Sequence, residues 1–273
     1  MIGLAQPARS VTLAPSHHGE GAARRGVGGH GDVRAAFTAR VDGNMSLIVG
    51  DGGGADARER LASLVGLAAG DLVVMEQVHG GGVARVGRSD RGRGVLDHQS
   101  ALSGVDALVT TESGVGLVVL VADCVPLLLA LPGAGVAAVH AGRRGIEEGI
   151  VAKAVQALTA CGSGQPSEVI AMIGPAIGGC CYEVDPEMAA GFCASVPAAA
   201  AQTAWGSPSL DLPAAVQCQL EHAGVATIEA SGGCTRCGAA RWFSHRAGAP
   251  QGRQAGVITR AAHPRPPETL SLD

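Results

Sequence analysis

Two histidines and one cysteine stand where apolar stretches of the sequence end. His79 closes DLVVMEQVH, Cys124 follows a run of aliphatic residues, and His140 closes GVAAVH. Two imidazoles and a thiolate are a ligand set for catalytic zinc, in which three protein ligands leave a fourth position for water or substrate. Such a zinc lowers the pKa of a bound water and polarises a phosphoryl, carbonyl or ring nitrogen. The alternative is that all three are buried structural residues. Spacing does not distinguish the two, because ligands this far apart in sequence have no diagnostic spacing.

Cys124 and His140 also allow a reaction that needs no metal. A thiolate beside an imidazole is a nucleophile with its general base, and the pair is suited to acyl transfer or amide hydrolysis. From these residues alone, the zinc site, the cysteine–histidine dyad and the structural interpretation all stay open.

Polar residues near these three are candidates for supporting roles. Gln77 and Asp123 lie within two residues of a candidate ligand and are predicted to orient the imidazoles. Four arginines lie in loop-like segments near the same strand ends, namely Arg40, Arg143, Arg144 and Arg246. A guanidinium can bind phosphate through two parallel hydrogen bonds, although an arginine in a loop is more often simply solvated.

Four further cysteines occur as two close pairs. Cys180 and Cys181 are adjacent, and Cys234 and Cys237 form a C-x-x-C pattern. They could form a second, structural metal site or a redox pair. No helix follows the C-x-x-C in the manner of thioredoxin, and free thiols near a surface loop are the commoner interpretation of such a pattern.

A predicted β-hairpin brings Cys124 and His140 to the same end. The segments 125–131 and 136–140 are apolar and are joined by Pro-Gly-Ala-Gly, a strong turn signal. Side chains opposite each other on paired strands have Cβ atoms about 5 Å apart. The preceding run 117–122 is rich in β-branched valine, which predicts a strand covered on both faces.

Strands and helices alternate along the rest of the chain without a strict βαβ rhythm. Periodicity predicts helices at 55–65, 146–159, 185–196 and 212–223 (with Asp211 as N-cap) and strands at 71–79, 83–86, 106–110, 168–173, 225–230 and 255–259. The pattern predicts an α/β (mixed α+β) domain at residues 34–260, with β-sheets flanked by helices. Residues 1–33 and 261–273 are predicted to be disordered, because they are polar and lack apolar periodicity.

Composition argues against several classes of protein. A net charge of −4 over 273 residues offers no basic face for nucleic acid. Asp123 and Pro126 interrupt the main apolar run, so no membrane span is predicted. The N-terminus lacks the pattern of a secretory signal, and the eight cysteines are therefore expected to be reduced thiols, metal ligands or a nucleophile. We expect a cytoplasmic protein.

Five motifs occur in an order that resembles the YfiH/laccase-domain family. They are MEQVHG at 75–80, VADCVP at 121–126, AVHAG at 138–142, IGPAI with CYEV within 173–184, and CT with FSHR within 234–246. The resemblance covers about residues 35–260. Members of that family have been called polyphenol oxidase, peptidoglycan editing factor and purine nucleoside phosphorylase. One departure is Arg143, which gives HAGRRG where many relatives have HAGWRG.

The resemblance implies a YfiH-like single α/β domain with central mixed β-sheets, in which His79, Cys124 and His140 bind Zn²⁺, with Cu²⁺ as the other candidate metal. It implies phosphorolysis of adenosine, inosine and methylthioadenosine to the free base and a ribose 1-phosphate sugar, with adenosine deamination as a side reaction. The partners would then be a purine nucleoside and phosphate, with neither nucleic acid nor membrane, and the chain a monomer or weak homo-oligomer.

Two alternative activities follow from the family's other names. One is a cysteine hydrolase acting on an amide bond of a peptidoglycan precursor, with Cys124 as nucleophile and His140 as base. The other is a copper-dependent polyphenol oxidase. The oxidase is chemically weaker, because laccase chemistry normally needs a cluster of coppers and many histidines.

Overall fold

The computed structural model describes residues 23–27, 32–50, 54–248 and 250–261. Of the two segments predicted to be disordered, 1–22, 28–31 and 262–273 lie outside these residues. Within the segment 1–33, Ala23–Val27 form a strand whose backbone pairs antiparallel with Val33–Phe37. Composition does not reveal this order, because it comes from backbone pairing with a partner strand.

Thirteen strands and five α-helices occur in the described part of the chain. The strands are β1 (Ala23–Val27), β2 (Val33–Phe37), β3 (Leu72–Val74), β4 (Val83–Arg85), β5 (Ala107–Thr110), β6 (Gly116–Val121), β7 (Val125–Leu131), β8 (Gly135–Ala141), β9 (Ile170–Ile173), β10 (Ala200–Gln202), β11 (Pro208–Leu210), β12 (Thr227–Ala230) and β13 (Gln254–Arg260). The helices are α1 (Gly54–Leu64), α2 (Arg143–Glu147), α3 (Ile150–Gly162), α4 (Pro186–Ser195) and α5 (Leu212–His222).

Two mixed sheets pack face to face between layers of helices, which confirms the predicted fold class. The five-stranded sheet has the order β1-β2-β13-β6-β3, and the six-stranded sheet has the order β12-β9-β7-β8-β5-β4. Alternate residues of β7 point to opposite faces, so Leu128 packs between the two sheets while Leu127 and Leu129 pack beneath α3 and α5. Helix α1 covers the outer face of the five-stranded sheet through Ala57 and Leu61.

The chain crosses from one sheet to the other at Asp123 and Cys124. Strand β6 lies in the five-stranded sheet and β7 in the six-stranded sheet, so these two residues form the link at one end of both. The predicted hairpin is confirmed, because β7 and β8 pair antiparallel with Pro126 opposite His140. Cys124 and His140 therefore lie at the same end of the hairpin.

Two predicted elements differ from those observed. The strand predicted at 71–79 keeps only Leu72–Val74, because Gln77 and His79 adopt φ angles of 62° and 60° that a strand does not allow. The helix predicted at 146–159 is divided into α2 and α3 by Gly149, whose φ of 75° is left-handed. Asp211 caps α5 as predicted, because its side chain accepts from the N–H of Ala214. None of the helices in the described ranges has the length and apolar character needed to span a bilayer.

Candidate metal centre

The structure brings His79, Cys124 and His140 together, as the sequence predicted. One ligand atom from each lies within 4.8 Å of the other two. The two imidazoles meet edge to face, with ring centroids 4.7 Å apart. Gly142 makes room for this contact, because a Cβ there would lie 3.1 Å from a ring carbon of His79 and 3.3 Å from the Cys124 Sγ. The sulfur and the imidazole nitrogens therefore face one point from three separate segments of the chain.

Asp106 orients the imidazole of His140. Its Oδ1 lies 2.7 Å from the His140 Nδ1, and both side chains are buried. The same carboxylate accepts the backbone N–H of His79 at 2.9 Å and of Gly80 at 2.8 Å. With Nδ1 bound to a carboxylate, the Nε2 of His140 is left as the free ligand atom. Asp106 thus fixes two of the three candidate ligands at once.

The segment that carries His79 is held in a strained conformation by Gln77. The side-chain amide of Gln77 donates to the Leu120 carbonyl at 2.6 Å and accepts the Leu120 N–H at 2.7 Å. These two hydrogen bonds to β6 hold Gln77 and His79 at positive φ, which costs a non-glycine residue roughly 1–3 kcal/mol. The prediction that Gln77 orients an imidazole is wrong, since its amide binds backbone and positions the loop.

Asp123 likewise organises loops rather than imidazoles, so its predicted role is also wrong. Its Oδ1 accepts the hydroxyl of Thr235 at 2.5 Å, and its Oδ2 accepts the backbone N–H of Arg246 at 2.7 Å. Its own φ is 96°. The carboxylate adjoining Cys124 therefore holds the segment 235–246 against the crossover between the sheets.

The group carries an unusual set of proton affinities. Burial opposes ionisation of the Cys124 thiol, but the charge of His140 and hydrogen bonds from His140 and His79 outweigh it and lower the pKa of Cys124 to about 6. Burial also opposes protonation of His140, yet Cys124 and Asp106 raise its pKa to about 9. Burial would raise the pKa of Asp106, but hydrogen bonds from His140 and Gly80 lower it. Without a cation, Cys124 and His140 form a thiolate–imidazolium pair at neutral pH.

A cleft of about 600 Å³ opens above this group, which is within the usual range for small-molecule sites. Arginines dominate its charged lining, and two of the predicted phosphate-binding residues are already engaged. Arg143 pairs with Glu147 at 2.7 Å, and Arg246 donates to the Glu183 carbonyl at 2.7 Å.

Three other arginines of the cleft have no acidic partner among the described residues. Arg58 is buried and donates to the backbone carbonyls of Met45 and Val95, which leaves Arg144 and Arg253. Arg144 follows Arg143 at the start of α2, and Arg253 precedes β13. Burial lowers the pKa of Arg253, and the nearby charges of Cys124 and Asp123 partly offset that effect. Arg253 therefore lies close to the floor of the cleft, with a charge that a bound anion can neutralise.

Arg40 is placed elsewhere, which corrects its predicted role. Its guanidinium lies over the Phe243 ring at 4.9 Å and donates to the Trp242 carbonyl, and it does not line the cleft. Conversely, the sequence indicated no role for four residues of the site. Asp106 contacts the candidate ligands, and His98, Tyr182 and Arg253 line the cleft. Asp106 had one available signal, because it directly precedes a buried strand.

The donor set fits a metal ion. Three convergent N and S ligands beside an open cleft match sites that keep a position for water or substrate. The hydrogen bond from His140 to Asp106 supplies the outer-shell partner that metal-binding histidines usually have. Across the described residues, only one other group of three or more potential ligands is found, formed by Cys180, Cys181, Cys234 and Cys237.

Comparisons with known proteins agree with this geometry. A profile of the multi-copper polyphenol oxidoreductase laccase family matches residues 34–261. The chain is 45% identical over 218 residues to a purine nucleoside phosphorylase of Streptomyces coelicolor, covering 79% of this chain and 86% of that protein. It is 40% identical over 238 residues to a purine nucleoside phosphorylase of Mycobacterium tuberculosis, covering 83% and 91%.

Solved structures show the same fold. The crystal structure of YlmD from Geobacillus stearothermophilus superposes with a TM-score of 0.82 at 35% identity, covering 90% of this chain and 98% of that one. The structure of a YfiH protein from Bacillus licheniformis superposes with a TM-score of 0.75 at 29% identity, covering 83% and 92%.

Proposed function

The chain belongs to the multi-copper polyphenol oxidoreductase laccase family, and from that premise we propose that it is a zinc-dependent purine nucleoside phosphorylase. One observation carries the proposal, namely that His79, Cys124 and His140 converge at the floor of an arginine-lined cleft. Relatives at 40–45% identity bear the name of that activity.

Zinc suits the donor set better than copper does. Two imidazoles and a thiolate are common zinc ligands, whereas multi-copper oxidation needs several histidine-rich sites, and the described residues offer no second group that contains histidine. A bound zinc would supply a fixed positive charge and Lewis acidity at the floor of the cleft. His79, Cys124 and His140 would hold it, with Asp106 keeping the His140 ring in place.

Arg144 and Arg253 supply the phosphate site in this proposal. Both lack an acidic partner among the described residues, and a guanidinium matches the oxygens of phosphate through paired N–H donors. Their task is to hold the attacking phosphate oxygen toward C1′ of the ribose. As the bond from C1′ to that oxygen forms, the glycosidic C–N bond breaks and its electrons pass to the purine.

The remaining cleft residues suit the nucleoside. The apolar residues Ile48, Met75 and Leu120 and the aromatic residue Tyr182 are among those that line the cleft. The purine needs a proton as it leaves, and His98 and His245 are the imidazoles of the cleft outside the candidate ligand set. Adenosine, inosine and methylthioadenosine are the substrates we propose, with deamination of adenosine at C6 as a side reaction.

A second candidate rests on a separate observation. Cys124, His140 and Asp106 are linked in series, with the thiolate beside an imidazole whose Nδ1 is 2.7 Å from a carboxylate. Nucleophile, base and orienting carboxylate are the parts of a cysteine hydrolase. That enzyme would cleave an amide bond, such as one in a peptidoglycan precursor, and would need no metal.

The two candidates respond oppositely to metal removal. We would incubate adenosine with the chain in four states, namely with and without phosphate and with and without bound zinc, and separate the products chromatographically. The phosphorylase predicts adenine only when both phosphate and zinc are present. Cys124→Ser should abolish the reaction, and Cys161→Ser, a cysteine on α3, should leave it unchanged. Amide cleavage by the zinc-free chain, lost on alkylation, would instead support the hydrolase.

A further inference from the structure

Four cysteines form a second cluster outside the catalytic group. Cys180 and Cys181 lie in a turn closed by the Cys181 and Tyr182 N–H groups, which both donate to the Gly178 carbonyl. Cys234 and Cys237 lie in another turn, closed by the Gly238 N–H donating to the Cys234 carbonyl. A β-bridge between Ala176 and Cys234 sets the two turns side by side.

The four sulfur atoms converge on one point. All lie within 4.8 Å of one another, and the Cys237 Sγ is 3.4 Å from that of Cys181 and 3.7 Å from that of Cys180. In a tetrahedral zinc–thiolate site with Zn–S bonds of about 2.3 Å, neighbouring sulfurs are about 3.8 Å apart.

We propose that Cys180, Cys181, Cys234 and Cys237 bind a structural Zn²⁺ ion as a four-thiolate site. Four convergent sulfurs and no open ligand position are the marks of structural rather than catalytic zinc. A single disulfide would use only two of the four sulfurs and would not account for the convergence of the others. Octahedral oxygen-preferring cations such as Mg²⁺ do not select such a donor set.

This zinc would join the two loops that build one wall of the catalytic cleft. Tyr182 directly follows Cys181, and Thr235 directly follows Cys234. Thr235 binds Asp123, which adjoins the candidate ligand Cys124. Arg246 lies over the Tyr182 ring at 5.0 Å and so contacts one loop from the other.

The backbone of this wall is irregular. Apart from isolated bridges, residues 174–184 and 231–248 form neither strands nor α-helices. A metal that binds only the folded arrangement of these loops stabilises that arrangement directly. Loss of the ion should therefore loosen Tyr182 and Arg246 without removing any ligand of the catalytic group.

Zinc content of the full chain tests this proposal. The protein would be purified without chelator and analysed for metal by mass spectrometry. We expect about two zinc ions per chain in the wild type and about one in Cys234→Ser/Cys237→Ser, since each site holds one ion. Cys124→Ser should lose the other ion, and Cys161→Ser should keep both. Equal zinc content in Cys234→Ser/Cys237→Ser and the wild type would overturn the proposal.

A second measurement on the wild type avoids the risk that the double variant does not fold. With ¹¹³Cd in place of zinc, four thiolates give a resonance far downfield of that from one thiolate and two imidazoles. We expect both resonances.

Thiol titration after denaturation with chelator should find all eight cysteines reduced. A missing downfield resonance, or only six titratable thiols, would show that the cluster is not a zinc site.

Discussion

Asp106→Asn isolates the contribution of the outer-shell carboxylate to metal binding. Asp106 accepts three hydrogen bonds, from the His140 Nδ1 at 2.7 Å and from the N–H groups of His79 and Gly80 at 2.9 and 2.8 Å. Asparagine offers one acceptor oxygen, and its amide nitrogen would face an N–H donor. At least one buried donor therefore loses its partner, and the His140 ring loses its charged anchor.

The expected loss of zinc affinity in Asp106→Asn follows from these contacts. Removing an outer-shell partner of a metal-binding histidine typically weakens metal affinity by about 10–100-fold, equal to about 1.4–2.8 kcal/mol. Competition against a chromophoric zinc chelator, on protein first stripped of metal, measures this change. Thermal unfolding of both stripped proteins would check that the variant is folded at the temperature of the assay.

A matched substitution supplies the control. Asp211→Asn changes the same carboxylate to the same amide at the N-cap of α5, where its one acceptor contact among the described residues is with the Ala214 N–H. Zinc affinity should stay at the wild-type value in that variant. If Asp106→Asn also bound zinc with wild-type affinity, the inference that Asp106 positions the ligands would be refuted.

Three other perturbations test separate parts of the account. In chelator-stripped protein, alkylation of Cys124 should speed up as the pH rises through about 6 and then level off, because the reactive thiolate forms above its lowered pKa. His140→Gln should move that midpoint upward, and a wild-type midpoint in the ordinary thiol range would contradict the ion pair. Arg144→Gln and Arg253→Gln should each raise the KM for phosphate by about tenfold or more, since a charged hydrogen bond contributes about 1.5–3 kcal/mol. An equal rise in the KM for adenosine would argue against a phosphate site. Leu128→Ala, at a fully buried position between the sheets, should lower the free energy of unfolding by about 2–5 kcal/mol in denaturant titration, whereas a loss below 1 kcal/mol would contradict the packing described.

The central hairpin was predictable because the residues that specify it are close together in the sequence. Two apolar runs joined by a Pro-Gly turn specify the pairing of β7 with β8, and that pairing places Cys124 near His140. The buried valines of β6 were equally visible. Helix α5 was found within one residue, since Asp211 and the apolar periodicity both mark it.

The supporting contacts were not predictable, because they join distant segments. Asp106 and His140 are 34 residues apart, and their contact depends on the pairing of β5 with β8. Proximity in sequence indicated Asp123 and Gln77 as partners of the imidazoles, yet both side chains bind other segments. Arg40 illustrates the same limit, since its contact with Phe243 depends on how β2 and β13 bring distant loops together.

The most direct test of the proposed activity is to measure how much ribose 1-phosphate the chain forms from adenosine. Chelator-stripped chain and zinc-reloaded chain would be compared at equal concentration, each with and without phosphate. The account predicts ribose 1-phosphate from the zinc-reloaded chain, only when phosphate is present, in an amount equal to adenine plus any hypoxanthine formed after deamination. Free ribose in place of ribose 1-phosphate, or equal turnover by the stripped chain, would contradict it.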